Sequence, residues 1–133
     1  MNVPYHFIYR IIIIGEPSVG KTSLANCLVS GKSIITHPTV GIDFFSTINI
    51  VNNNIIIKSH LWDTAGQEFY FSIVKSYFRD IICAIIVYDI SNMETFKNIP
   101  KWLQEIKKNN SSKIFIVLIG NKMDLPRKVS KEI

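Results

Sequence analysis

The sequence has few cysteines and no long apolar run, so it lacks the features that mark secreted, zinc-binding and membrane-spanning chains. Only two of its 133 residues are cysteines, Cys27 in a predicted helix and Cys83 in an apolar predicted strand. That number and spacing support neither a disulfide framework nor a zinc site, so we expect buried thiols in a reducing compartment. The apolar run Ile11 to Ile14 is too short for a signal-peptide core, and no transmembrane run occurs. We therefore expect a cytoplasmic, intracellular chain.

The sequence also lacks the pattern of a nucleic-acid-binding protein. Its net charge is +5, with 47% hydrophobic and 19% charged residues, which is typical of one soluble α/β domain. The positive excess lies toward the C-terminal part, at Lys97, Lys101, Lys107, Lys108 and Lys113. A basic helix face can serve an anionic membrane or nucleic acid, but no aromatic residues are interleaved with these lysines. We interpret the lysines as a solvated face and expect no nucleic-acid partner.

A glycine-containing loop near the N-terminus predicts a phosphate site. Residues Gly15 to Thr22 read G-E-P-S-V-G-K-T, which fits the pattern G-x-x-x-x-G-K-[ST], between a predicted strand (8–14) and a predicted helix (21–30). That order directs backbone N–H groups and the positive end of the helix at one anion site. We expect Lys21 to reach the outer phosphates and Thr22 to offer a hydroxyl to Mg²⁺. The predicted phosphate-binding residues are Gly15, Ser18, Val19, Gly20, Lys21, Thr22 and Ser23.

A second motif, Asn121-Lys122-Met123-Asp124, predicts which base is bound. It follows the apolar run Ile114 to Gly120, so it lies at the carboxyl end of a predicted strand, where open α/β sheets bind ligands. The Asp124 carboxylate can accept two N–H bonds from guanine, and adenine has no equivalent donor pair. We expect Asn121 to hold the loop and the purine edge, and the aliphatic stem of Lys122 to lie along the base. Alone the motif is an ordinary polar loop, but after a phosphate loop it favours a GTP/GDP site.

Between these motifs lies L-W-D-T-A-G-Q-E, Leu61 to Glu68. Asp63 ends an apolar strand and suits holding Mg²⁺ through its water shell, and Gln67 suits orienting an attacking water. Gly66 leaves a backbone N–H free to approach a γ-phosphate. Upstream, Thr39 is a candidate Mg²⁺ ligand when the γ-phosphate is bound. Each of these is an ordinary loop residue when taken alone, but their order favours function. We therefore assign Mg²⁺ to Thr22, Thr39 and Asp63, and catalysis to Lys21, Thr39 and Gln67.

The remaining pattern predicts a doubly wound, mostly parallel sheet with one antiparallel edge pair. Residues 44–50 alternate with period two, and Asn52 to Asn54 read as a hairpin turn, since asparagine tolerates positive φ. Pro100 interrupts a helical pattern over 93–109, so Asn98 is expected to cap a fresh helix. The other predicted elements are a switch loop over 31–41, strands over 42–51, 55–62, 82–88 and 114–119, and a short helix within 64–78.

The chain resembles a small GTPase of the Ras superfamily, and more narrowly a Rab. The resemblance is carried by V-G-I-D-F (Val40 to Phe44), L-W-D-T-A-G-Q-E, S-I-V-K-S-Y-F-R-D (Ser72 to Asp80) and A-I-I-V-Y-D-I-S-N (Ala84 to Asn92). The loop G-E-P-S-V-G-K-T-S-L and S-Y-F-R-D are most similar to the Golgi-associated Rab subfamily. The resemblance implies a P-loop NTPase G domain with GTP/GDP and Mg²⁺, which hydrolyses GTP and regulates vesicle traffic. It also implies effectors, exchange factors and activating proteins as partners.

Several positions depart from the Rab pattern. Pro17 and Ser18 replace small residues or glycine, and proline donates no N–H to a phosphate. Ile34 stands where the family has an aromatic residue stacked on guanine. Phe69 to Phe71 replace an Arg-aromatic-Arg pattern, which would alter contacts with regulators and effectors.

The chain stops at Ile133, before the last strand, closing helix and S-A-K motif of a Rab, and without terminal cysteines for prenylation. We therefore expect a truncated gene product or a gene-model fragment forming one incomplete G domain over 1–133, with no prenyl membrane anchor. Golgi or endomembrane association would belong to a complete lipidated form. Three hypotheses follow: a GTP switch with slow hydrolysis, a remnant with weak nucleotide binding and little or no GTPase activity, or an adenine-specific kinase or ATPase. The last is disfavoured by Asn121 to Asp124.

Overall fold

The computed structural model describes residues 5–30, 42–64, 80–109 and 113–131. In chain order its elements are strand β1 (Phe7–Gly15), helix α1 (Lys21–Ser30), strands β2 (Ile42–Val51), β3 (Ile55–Thr64) and β4 (Cys83–Asp89), helices α2 (Met93–Lys97) and α3 (Ile99–Asn109), and strand β5 (Phe115–Asn121). The predicted strands and the helix over 21–30 are confirmed, with ends displaced by at most two residues. The expected burial of both thiols is wrong, because Cys27 is exposed and Cys83 is only half-buried. The predicted switch loop and almost all of the helix predicted within 64–78 lie outside the described residues.

The strands form one five-stranded sheet in the order β2-β3-β1-β4-β5. β2 and β3 are antiparallel, and the other neighbouring pairs are parallel. The predicted fold class, a mostly parallel α/β sheet with one antiparallel edge pair, is therefore confirmed. Because β1, β3, β4 and β5 run in the same direction, their carboxyl ends meet at one edge of the sheet, where ligands of open α/β folds bind.

Local sequence chemistry explains one turn and one interruption of a helix. Asn52, Asn53 and Asn54 all have positive φ, at 41°, 54° and 92°, which confirms the predicted turn between β2 and β3. The helical pattern over 93–109 is interrupted near Pro100 as predicted: α2 ends at Lys97, and α3 begins at Ile99 with Pro100 in its first turn. Proline is tolerated there because the first N–H groups of a helix have no partner within the helix. Asn98, which was expected to cap the second helix, is the C-cap of α2.

The core consists of two apolar layers, one on each face of the sheet. On one face Ile12, Ile14 and Ile86 pack with Trp102 and Ile106 of α3. On the opposite face a second cluster contains Ile13 and Val87 of the sheet with Val19 and Ala25 of the loop and α1. This alternation along β1 buries both faces of the strand, which is the arrangement of a doubly wound sheet.

Substitution of Ile106 by alanine tests whether the α3 face stabilises the domain. The Ile106 side chain is 0% exposed, so Ile106→Ala should lower the free energy of unfolding by about 2–5 kcal/mol through lost burial and a cavity. Leu28→Ala, on α1 with its side chain 62% exposed, is the matched control and should change it by less than about 1 kcal/mol. The free energies of unfolding would be measured by urea denaturation, and equal decreases in the two variants would contradict this packing.

Large apolar side chains on β5 are exposed on both faces of this edge strand. Their exposed fractions are 68% for Phe115, 41% for Ile116, 44% for Val117 and 50% for Leu118. Among the described residues no helix has the length and apolar character needed to span a bilayer.

Candidate functional site

The carboxyl ends of the parallel strands bring the predicted phosphate and guanine motifs to one place. β1 ends at Gly15, where the phosphate loop starts, and β5 ends at Asn121, the first residue of the second motif. Register places Gly15 beside Val87 of β4, and Asp89 at the end of β4 beside Asn121. Asp63 lies beside Ile13 near the end of β3. Residues more than a hundred positions apart in sequence therefore share one edge of the sheet.

Glycine is required at two positions of the phosphate loop. A Cβ at Gly15 would lie 2.3 Å from the carbonyl oxygen of Val87, so the loop leaves β1 in close contact with β4. At Gly20 the φ angle is +96°, which L side chains rarely adopt, and a Cβ there would lie 2.3 Å from Nδ2 of Asn121. Ser18 also has positive φ, at 64°. The phosphate loop therefore turns sharply and is in close contact with Asn121 of the guanine motif.

Lys21 has its ammonium inside the loop. Its side chain is buried, and Nζ donates a hydrogen bond to the backbone oxygen of Glu16 at 2.8 Å. Burial lowers the pKa of Lys21 from 10.5 to about 8, although the nearby carboxylates of Asp63 and Glu16 act in the opposite direction. A buried cation enclosed by a loop of this kind is suited to an anionic ligand that restores its charge balance.

The residues assigned to Mg²⁺ at the start of α1 and the end of β3 are in contact. The hydroxyl of Thr22 donates a hydrogen bond to Oδ2 of Asp63, and Asp63 is completely buried. A hydroxyl and a carboxylate are the hard oxygen ligands that Mg²⁺ prefers, and this ion commonly takes only one or two carboxylates from the protein. The donor set therefore fits Mg²⁺ beside the phosphate loop.

The guanine motif is bonded directly to the phosphate loop. Nδ2 of Asn121 donates to the backbone oxygen of Val19 at 2.9 Å, and Nζ of Lys122 donates to the backbone oxygen of Ser18 at 2.6 Å. Lys122 adopts φ +70°, in the left-handed region. These contacts fix the distance between the two motifs. The assigned contacts of Asn121 and Lys122 with the base itself stay predictions.

Asp124 lies in the exposed loop that follows Lys122, where its carboxylate is open to solvent. The loop turns through a hydrogen bond from the N–H of Leu125 to the oxygen of Lys122 at 2.9 Å. Further on it is fixed by the completely buried Val129, whose N–H donates to the oxygen of Ile90 at 3.0 Å. An exposed carboxylate on an anchored loop is suited to meet the polar edge of a base.

Asp89 and Trp102 are site residues that sequence reasoning missed. Oδ2 of Asp89 lies 3.1 Å from Nζ of Lys122. Burial raises the pKa of Asp89, but hydrogen bonds from Ser91 and Lys122 and the charge of Lys122 outweigh it, so the pKa is lowered. Trp102 of α3 donates from Nε1 to Oε1 of Glu16 at 3.3 Å, linking the core to the phosphate loop. The signal for Asp89 was available, because it is an acid closing an apolar strand, as Asp63 is.

The structure does not locate every residue assigned from the sequence. Thr39, Gly66 and Gln67, which the sequence assigned to the γ-phosphate, Mg²⁺ and the attacking water, lie outside the described residues. Ser23 lies in the first turn of α1, directly after Thr22. The described part of the site therefore contains the phosphate and guanine motifs and two of the three assigned Mg²⁺ ligands.

Comparison with known proteins places this site in a family. The sequence profile described as the Ras family matches residues 10–133. The chain is 40% identical to the "GTP-binding protein ypt3" of Schizosaccharomyces pombe over 91% of its own length and 56% of that protein. It is 39% identical to "Ras-related protein rab-39" of Caenorhabditis elegans over 96% of its own length and 59% of that protein. It is 37% identical to "Ras-related protein Rab11A" of Lotus japonicus over 93% of its own length and 55% of that protein.

The chain thus spans somewhat more than half the length of the curated relatives that it matches. The Rab names of two of these relatives agree with the resemblance seen in the sequence, but they do not single out a Golgi-associated subfamily. A profile match over 10–133 includes both nucleotide motifs and every described strand except the first residues of β1. This protein is a member of the Ras family, of the Rab type.

Proposed function

We propose that this chain is a guanine-nucleotide switch of the Rab type, which binds GTP and GDP with Mg²⁺ and hydrolyses GTP to GDP. The observation that carries the proposal is the pair of hydrogen bonds from Asn121 and Lys122 to the phosphate loop. They hold a phosphate site and a purine site at one fixed separation. Of the three hypotheses from the sequence, the adenine-specific enzyme receives the least support, because Asp124 has no donor pair to meet on adenine.

Each residue assigned from the sequence motifs has a role in this function. Backbone N–H groups of the loop and of the start of α1 bind the phosphates, and Lys21 places its ammonium against them. Thr22 and Asp63 would hold Mg²⁺, which would supply positive charge to the phosphate oxygens. Asp124 selects guanine. Thr39, Gly66 and Gln67 complete the γ-phosphate side, and Gln67 orients the attacking water.

Rab-type switches meet effectors, exchange factors and activating proteins through the segments that respond to the γ-phosphate. In this chain those segments include Phe69 to Phe71, whose apolar character favours regulators with an apolar docking surface. We propose action in vesicle-mediated transport, with Golgi or other endomembrane association.

Gln67→Leu separates hydrolysis from binding. Leucine keeps approximately the volume of glutamine but cannot orient water, so single-turnover GTP hydrolysis should fall about tenfold or more while GTP affinity stays within about twofold. Gln104→Leu, the same change at an exposed position of α3, is the control and should alter neither quantity. Hydrolysis would be followed as phosphate release from preloaded GTP. A Gln67→Leu rate equal to that of the unmodified chain would remove Gln67 from the mechanism.

A further inference from the structure

We infer that Asp89 positions Lys122 for the purine base, an inference that rests on the proposed function and identifies a further residue of the same site. Asp89 is the last residue of β4, and its Oδ2 lies 3.1 Å from Nζ of Lys122. The same Nζ donates to the backbone oxygen of Ser18 at 2.6 Å. One ammonium group therefore joins the end of β4, the guanine loop and the phosphate loop.

Asp89 is held on both its backbone and its side chain. Its backbone N–H donates to the hydroxyl of Thr95, buried in α2, at 2.9 Å. Its other carboxylate oxygen, Oδ1, accepts from the N–H of Ser91 at 2.8 Å and from the hydroxyl of Ser91 at 2.5 Å. With one oxygen committed to Ser91, the second is directed to Lys122. The Asp89 side chain is only 9% exposed, so solvent screens this ion pair weakly.

Lys122 is consequently constrained at both ends of its side chain. Its backbone has φ +70°, which is unfavourable for an L residue unless neighbouring contacts hold it. Its ammonium is fixed by Asp89 and Ser18, so the methylene stem between them has little freedom left. That stem is the part expected to lie along the base. Without the Asp89 charge, nucleotide binding would have to order the stem as well, which weakens affinity.

A purely local role for Asp89 makes a different prediction. If Asp89 served only to close β4 through Ser91, its loss would weaken the fold whether or not Lys122 had an ammonium. If Asp89 acts through Lys122, removing the ammonium first should make Asp89→Asn nearly silent. A double-mutant cycle distinguishes the two roles.

The experiment measures the dissociation rate of fluorescently labelled GDP from the 133-residue chain with Mg²⁺. Asp89→Asn should raise that rate about tenfold, whereas in the Lys122→Met background the same change should alter it less than about twofold. Glu94→Gln is the matched control, because it neutralises an acid in the exposed Glu94–Lys97 pair (3.7 Å) and should leave the rate unchanged. If the increase in the GDP dissociation rate of the double variant equalled the product of the increases of Asp89→Asn and Lys122→Met alone, the inference would be overturned.

A folding defect is distinguished by thermal unfolding without nucleotide, which Asp89→Asn should leave nearly unchanged. If this variant does unfold earlier, Ser91→Ala replaces it, since that change keeps both charges and removes the hydrogen bond from the Ser91 hydroxyl that helps to orient Asp89, leaving only the bond from the Ser91 N–H. It should still speed GDP release, and only when Lys122 is present. Failure of the unmodified chain to bind GDP would overturn the proposed function together with this inference. Normal binding by the unmodified chain, with an unchanged rate for Asp89→Asn, would overturn this inference alone.

Discussion

Asp124→Asn should weaken GTP binding by about 2–3 kcal/mol, roughly 30- to 150-fold, and shift preference toward xanthine nucleotides. In the proposed site the carboxylate accepts a pair of charge-assisted hydrogen bonds from guanine, and an amide would present an N–H where an acceptor is needed. Xanthine carries an oxygen in place of the guanine amino group, so the amide suits it better. The Lys122 and Asn121 bonds to the phosphate loop stay intact, so phosphate binding should persist.

The measurement is calorimetric titration of the unmodified chain and of Asp124→Asn with GDP and with XDP in the presence of Mg²⁺. Asp80→Asn is the matched control: it makes the same change in the turn just before β4, at the end of the strand remote from the phosphate loop. Asp80 has φ +59°, a conformation that asparagine also adopts readily, so the control should fold and bind GDP normally. Unchanged GDP affinity in Asp124→Asn would mean that this carboxylate does not contact the base.

Lys21→Met should reduce nucleotide affinity more than any other single change, by about 100-fold or more, because it removes the one cation buried within the phosphate loop. The same change should leave the nucleotide-free chain as stable as before or slightly more stable. Lys21 is only 6% exposed, and the desolvation cost of its charge exceeds the attraction of Asp63 and Glu16, which is why its pKa is lowered; methionine fills a similar volume without that cost.

Thermal unfolding with and without GDP and Mg²⁺ tests both parts of this prediction. The melting temperature without nucleotide should not fall in Lys21→Met, and the increase caused by GDP should disappear. Lys107→Met, at an exposed position of α3, removes one positive charge without touching the loop and should keep the full increase. A Lys21→Met chain that melts early without nucleotide would show that the buried ammonium stabilises the fold.

Local sequence signals were sufficient for most of the fold. The period-two alternation of β2, the three asparagines of the turn and Pro100 at the start of α3 each act over a few residues, so their consequences can be predicted without tertiary information. The phosphate loop was predictable for the same reason, since its glycines, lysine and threonine are contiguous. The order of the strands in the sheet was not predicted from the sequence.

Contacts between distant segments could not be predicted in this way. The bond from Lys122 to Ser18 spans a sequence separation of 104, and the bond from Trp102 to Glu16 a separation of 86. Nothing in the local sequence indicates which backbone oxygen a long side chain will reach. Asp89 could be noticed as an acid closing an apolar strand, but its partner could not be predicted, because only the register of β4 with β5 brings it beside the guanine loop.

The most direct test of the account is a comparison of GDP with ADP as stabilisers of the unmodified chain. We propose that one edge of the sheet holds a phosphate site and a guanine site at a fixed separation. Thermal unfolding would be measured in Mg²⁺ with equal concentrations of each nucleotide, since a ligand that binds only the folded chain raises its melting temperature. We expect a clear increase with GDP and little or none with ADP. Equal increases with both nucleotides, or none with either, would contradict the claim.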